Sequence, residues 1–378
     1  MPYALLSAVR SRIRLGAAAP FNIRDIDHTL LLARGQLIRD EAQLDALFSR
    51  GAVVDAAEVR NPRAEVDKAR ADRLPALWSR SVDRVGGILR TPESPEFAHA
   101  LDEAAEPVLA LVQRDPDLAI FQVIRQADEG KSSYGVSHSV HAAIACYLVA
   151  QRLGWGQDDV ERVFKAALTM NVSMIELQGR LATQLTPPTA AQRKQIHEHP
   201  HRSAEMLEAS GVTDADWLNA VRQHHEVPGG HGYPSGAQDV SEMASLLRRV
   251  DVYTAKLSPR NTRQALAANQ AGRDLFLQDS QHPMSAAIIK EFGIYPPGCP
   301  VQLQSGEVGI VVKRGPTANT PLVAALSNGD GDALREPVLR RTEEPSQAVV
   351  AVVPETALRV RVSPEKLLAL AGREPSGA

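Results

Sequence analysis

The alternation of apolar and polar residues divides the chain into a helical middle and a stranded end. From Ala119 to about Ile294, apolar positions recur with the roughly 3.6-residue period of helices packed on a core. Val140, Ile144, Tyr147 and Leu148 mark one such face, which stops at Gly154. Asp158 offers a cap for the next helix, whose stripe is Val160, Val163, Phe164, Ala167 and Leu168. Trp217, Val221 and His224 share a later face, and Met243, Leu246, Leu247, Val250, Tyr253, Thr254 and Leu257 line another. Asp251 lies four residues from both Leu247 and Ala255, beside that last stripe. A carboxylate so placed needs a partner, and a histidine or a metal ion would serve.

After Gly293-Ile294-Tyr295-Pro296-Pro297-Gly298 the period falls to about two. Val301 and Leu303, then Val308, Ile310 and Val312, alternate around a Ser305-Gly306 turn and predict a hairpin. Leu322–Leu326, Val349–Val353 and Leu358–Val362 are further strands, giving a small β-barrel or sandwich of about five. Residues 327–347 read as a long loop. Near the start, Leu30-Leu31-Leu32 followed by Gly35 predicts a hairpin within His28–Ile38. Asp40 then caps a helix through Leu44, Leu47 and Phe48, Gly51 stops it, and Val53-Val54 returns as a strand. Between these modules, Pro62, Pro75, Pro92 and Pro95 break an Ala- and Arg-rich segment into helices, with Trp78 assigned to packing. The pattern predicts a multidomain α+β chain. A small α+β module spans 1–60, a helical linker 61–115, an all-α domain 116–296 and a β domain 297–371, with a disordered tail over 372–378.

Composition adds exclusions. The chain has 378 residues, 44% of them hydrophobic, enough for more than one core. A net charge of -3 provides no basic field for nucleic acid or an anionic membrane. Cys146 and Cys299 lie far apart and read as thiols of a reducing compartment. No apolar run reaches the length of a membrane span, and Met1–Gly16 lacks the apolar centre of a signal peptide. A cytoplasmic location is expected.

The candidate chemistry is densest at His224-His225-Glu226-Val227-Pro228-Gly229-Gly230-His231-Gly232-Tyr233-Pro234. Adjacent histidines are costly to bury unpartnered, and neutral imidazole is the commonest protein metal ligand. Gly229, Gly230 and Gly232 make a turn that needs no ligand to explain it. His197 and His201 read as surface residues, and His231 as a loop residue.

This stretch resembles the signature of the HD-GYP family, in which His-His-Glu is followed by Asp-Gly and Gly-Tyr-Pro; Gly229 stands where the family has Asp. His138 in its Tyr-x-x-x-His-Ser frame, His199-Pro200, and Asp251-Val252-Tyr253-Thr254-Ala255 are similar to further family motifs. The resemblance implies an all-α HD-type domain that hydrolyses cyclic di-GMP at two or three metal ions. It implies metal ligands at His138, His199, His224, His225 and Asp251. Arg260 and Arg263 become substrate-phosphate contacts, and the Gly230, Gly232, Tyr233, Pro234 loop a contact for signalling proteins such as diguanylate cyclases.

One motif departs. After Ala166-Ala167-Leu168 the family has His-Asp-x-Gly-Lys, but this chain reads Met170-Asn171-Val172-Ser173-Met174. In the family that aspartate bridges two metals, offsetting the repulsion between dications and placing the attacking water. A neutral amide bridges poorly. The losses at Met170, Asn171 and Met174 therefore predict a degenerate member without dinuclear phosphodiesterase activity, acting through protein contacts or by binding cyclic di-GMP. No cofactor is then required. The alternative is a phosphodiesterase with one divalent ion (iron, manganese or zinc) at His199, His224 and His225.

Overall fold

The computed structural model describes residues 3–56, 62–125, 134–279, 282–360 and 362–371. The expected disordered tail, 372–378, lies outside them. The chain divides into two compact units, Met1–Lys68 and Ala69–Ala378.

The smaller unit holds β1 (Tyr3–Leu5), β2 (Ile23–Arg24), β3 (Leu30–Leu32), α1 (Glu41–Ser49), β4 (Val53–Asp55) and α2 (Pro62–Lys68). Its antiparallel sheet has the order β1-β4-β2-β3. Leu6, Phe21, Ile23, Ile38, Leu44 and Val54 form its core. Asp40 caps α1 by accepting from Gln43 N, and Gly51 leaves the helix at φ +67°. The hairpin sits elsewhere than expected. β3 pairs back on β2 through Asp25–Thr29, before the leucine run and not at Gly35. Asp27 fixes that turn by accepting from Thr29 N at 2.9 Å, while His28 takes φ +70°.

The larger unit opens with α3 (Leu74–Leu89), α4 (Phe97–Arg114), α5 (Pro116–Arg125), α6 (Tyr134–Arg152), α7 (Gln157–Thr169) and α8 (Ile175–Thr183). Then come α9 (Ala190–Ala209), α10 (Ala215–Gln223), α11 (Glu242–Leu257), α12 (Ala268–Gln278) and α13 (Pro283–Phe292). Helix α6 is central, packing on α3, α5, α7, α8, α11 and α13. The sequence suggested one apolar face, yet nearly every residue from Gly135 to Ala150 is buried. Small residues make this possible: a Cβ on Gly135 would lie 2.5 Å from the Ile175 carbonyl, so α8 starts directly against the α6 backbone. Gly156, not Asp158, is the N-cap of α7; Asp158 occupies its first turn, where a carboxylate suits the helix dipole.

The unit ends in β5 (Pro300–Leu303), β6 (Val308–Lys313), β7 (Leu322–Ser327), β8 (Ala333–Arg341), β9 (Val349–Val352) and α14 (Pro364–Ala371). These strands form one antiparallel sheet in the order β8-β7-β6-β5-β9. Among the described residues β8 and β9 do not pair, so the sheet is neither a closed barrel nor a two-sheet sandwich. The expected loop over 327–347 contains β8, an edge strand whose Arg335, Arg340, Arg341 and Pro337 hid it; charges and proline are typical of edges. Leu358–Val360 is not a strand, Arg361 lies outside the described residues, and a short helix comes next instead. Arg314, just past β6, pairs with Asp117 of α5 and Glu291 of α13, and Glu291 also takes Arg152 of α6. No described helix is long and apolar enough to cross a membrane.

Candidate metal centre

Helix α9 and the end of α10 bring three imidazoles together. One ring nitrogen of each of His199, His224 and His225 lies within 4.8 Å of the others. Two of the three tautomers are fixed by the backbone. His199 Nδ1 donates to the Ile196 carbonyl at 2.6 Å. That carbonyl is free because residue 200 is proline and has no N–H to close the helical bond. His224 Nδ1 donates to the Val221 carbonyl at 2.7 Å, in the last turn of α10, where carbonyls lack helical donors.

With both protons on Nδ1, both Nε2 atoms carry lone pairs, and they face each other at 3.0 Å. Two lone pairs at that distance repel unless a cation lies between them. Burial and the neighbouring His224 push His199 down to about 3, burial lowers His224, and burial with His224 takes His225 well below its ordinary value. At neutral pH the three rings are uncharged, the state a metal requires. Bonds of about 2.1 Å to one ion would place two nitrogens roughly 3.0–3.4 Å apart, so this donor set fits a single divalent ion.

His138 and Asp251 stand apart as a pair. His138 Nε2 lies 2.7 Å from Asp251 Oδ1. Burial alone would raise the Asp251 carboxyl, but the hydrogen bond from His138 outweighs it and holds the group below the usual carboxylate range. The aspartate is then ionised, so Nε2 donates to it and the ring's lone pair lies on Nδ1. Among the described residues, His138 Nδ1 and Asn171 Oδ1 are buried without a hydrogen-bond partner. Met170 is fully buried, and Met174, at the end of the Val172–Met174 turn, is half-buried. Ser173 pins this turn to α9, its Oγ donating to the His199 carbonyl at 3.1 Å.

The glycine-rich loop closes over His225. Tyr233 stacks on His225 with centroids 4.5 Å apart, and His197 stacks on the other side at 5.4 Å. His201 reaches Ser235 Oγ at 2.9 Å. Buried Glu226 accepts from Ser235 N at 2.7 Å and Ala237 N at 3.1 Å, anchoring the loop. Gly230 has φ +80°, and a Cβ on Gly232 would lie 2.4 Å from the Glu226 and Val227 backbone. Pro234 follows Tyr233 through a cis peptide bond. Sequence reading missed these roles of His197, His201 and Glu226. The i, i+4 spacing of His197 and His201 on α9 was the available signal.

Arg260 and Arg263 are both engaged locally. Arg260 Nε donates to Tyr134 Oη at 3.1 Å with its guanidinium over that ring, and Arg263 donates to the Ala255 carbonyl. Arg248, one turn before Asp251 on α11, is a further cation whose charge acts weakly on His225 and Tyr233. Among the described residues it has no carboxylate partner.

A model of the HD domain family matches residues 124–282. A cyclic di-GMP phosphodiesterase, PA4108 of Pseudomonas aeruginosa, is 28% identical over 241 residues, which make up 62% of this chain and 57% of that protein. The chain thus spans little more than half the length of that relative. The solved structure of Bd1817, an HD-GYP-type protein from Bdellovibrio bacteriovorus, is similar at a TM-score of 0.49 and 17% identity, covering 77% of this chain and 97% of the other. Residues 124–282 thus match an HD domain, and the histidine-rich signature inside that region is similar to that of HD-GYP proteins.

Proposed function

We propose that this chain is a cyclic di-GMP-signalling member of its family that holds one divalent ion, binds a cyclic dinucleotide and does not hydrolyse it by the dinuclear route. The observation carrying this reading is the pair of fixed Nε2 lone pairs of His199 and His224, 3.0 Å apart beside His225. His199, His224 and His225 would hold the ion, and when bound it supplies Lewis acidity to a phosphate oxygen.

The chain's own residues limit that chemistry. Asn171 is neutral where a bridge needs a negative charge, and Asp251 is committed to His138. Neither position offers a free acid to hold a second cation beside the first. Arg248 adds positive charge whose field reaches His225, suited to a phosphodiester. The Tyr233 ring is committed between His225 and His197, which favours a nucleotide over a protein as the occupant of this loop. A single-metal phosphodiesterase is the second reading, since three histidines on one ion leave room for substrate or water.

Calorimetric titration of the metal-loaded chain with cyclic di-GMP, with chromatography of the nucleotide afterwards, tests the proposal. Saturable binding with the nucleotide recovered intact is expected. Conversion to the linear dinucleotide, abolished by His225→Ala, would establish the second reading instead.

A further inference from the structure

A cleft of about 310 Å³ opens between the end of α3, the first turns of α8 and one face of α9. None of the clustered histidines lines it. Three guanidinium groups do: Arg90, Arg180 and Arg202. Arg90 is tethered, donating to the Gly86 carbonyl at 3.2 Å and lying 3.7 Å from Glu176. Arg180 and Arg202 have no carboxylate partner among the described residues. Glu93 also borders the cleft, so with Glu176 the charge of the lining is net positive by one, and the unmatched cations are Arg180 and Arg202.

The rest of the wall is of a different kind. Val172, Ile175, Leu177 and Met206 give apolar surface, and Gln195 offers an amide from the same face of α9 as Arg202 and Met206. Met174, the N-cap of α8, caps no backbone N–H with its side chain, and the first turn of that helix borders the cleft. Unmatched guanidiniums beside a helix start suit a phosphate, and an apolar wall with one amide suits a planar base. The volume is at the small end for ligand pockets, which run from about 300 to 1,000 Å³.

We propose that this cleft is a second ligand site, taking a nucleoside monophosphate with its phosphate on Arg180 and Arg202 and its base against Leu177 and Met206. Arg90 lies outside the region matched by the HD-domain model, so the site joins that domain to the preceding helices. Binding in this cleft requires no metal at the histidine centre.

Calorimetry on the full-length chain tests it, with GMP, guanosine and inorganic phosphate as separate probes. GMP should bind saturably, with guanosine and phosphate each at least about tenfold weaker, because each carries only half of the recognised chemistry. Arg180→Ala/Arg202→Ala should weaken GMP by at least about tenfold, and Arg180→Lys/Arg202→Lys by less, since lysine keeps the charge but loses the planar fork. Binding should persist in His225→Ala. The proposal is overturned if GMP does not bind, if guanosine or phosphate binds as tightly, or if both double variants bind GMP like the parent. Loss of GMP binding in His225→Ala would move the ligand to the histidine centre and overturn it equally.

Discussion

A single proline sets the protonation pattern of the centre. Pro200 withholds an N–H from Ile196, the freed carbonyl takes the Nδ1 proton of His199, and the Nε2 lone pair turns toward His224. Pro200→Ala would return a helical donor to Ile196. Metal affinity should then fall by about 10- to 100-fold, as for other losses of ligand-orienting hydrogen bonds. Helix α9 should meanwhile gain up to about 3 kcal/mol from removal of an interior proline. Metal titration against a competing chelator and urea unfolding of the metal-free protein check the two effects, whose opposite signs distinguish orientation from general damage. At this scale the sequence was partly legible. Pairing chemistry required a partner for Asp251, but nothing in the spacing identified Arg248 as a cation acting on His225, because that influence depends on how α11 packs.

Among the elements, the glycine-rich loop acts as a brace. Glu226 anchors it from below, His201 from α9, and Tyr233 lies between two imidazoles. Gly232 is required because the loop crosses the Glu226–Val227 backbone with no room for a methyl group. Gly232→Ala should cost roughly 2 kcal/mol or more, since backbone cannot move aside as a side chain can. It should also lower metal affinity by about tenfold by shifting Tyr233 from His225. Denaturant midpoints and metal titration read the two effects, and wild-type values for both would show that the loop does not position His225. Element types followed the hydrophobic period wherever one face was buried, as in α11. The period misled where burial was total, as in α6, or slight, as in β8, because each case removes the contrast on which a period depends.

At the scale of the molecule, burial of histidines makes stability depend on pH. His141 and His199 are pushed down to about 3 from an ordinary 6.5, first by burial and then by a neighbouring histidine. Between those values the unfolded chain binds protons that the folded chain refuses. This stabilisation is complete above about 6.5 and is lost as pH falls toward 3. The thermal midpoint of the metal-free protein should therefore decline from pH 7 to pH 4, and His141→Leu should decline less steeply. A flat midpoint across that range would show that these rings are not held neutral. The helical domain and the last sheet-bearing region were legible from the change of period at Tyr295, and the first sheet-bearing region from the leucine run and the Asp40 cap. The single-sheet form of the last region was not, since strand pairing is non-local.

Metal content per chain tests the central claim most directly. Full-length protein, reconstituted in turn with excess iron(II), manganese(II) or zinc(II) and freed of loose ion, would be assayed by elemental analysis. The absence of a bridging acid at Asn171, with Asp251 held by His138, predicts about one ion per chain, falling close to zero in His225→Ala. Two ions per chain, both removed by His225→Ala, would contradict the account.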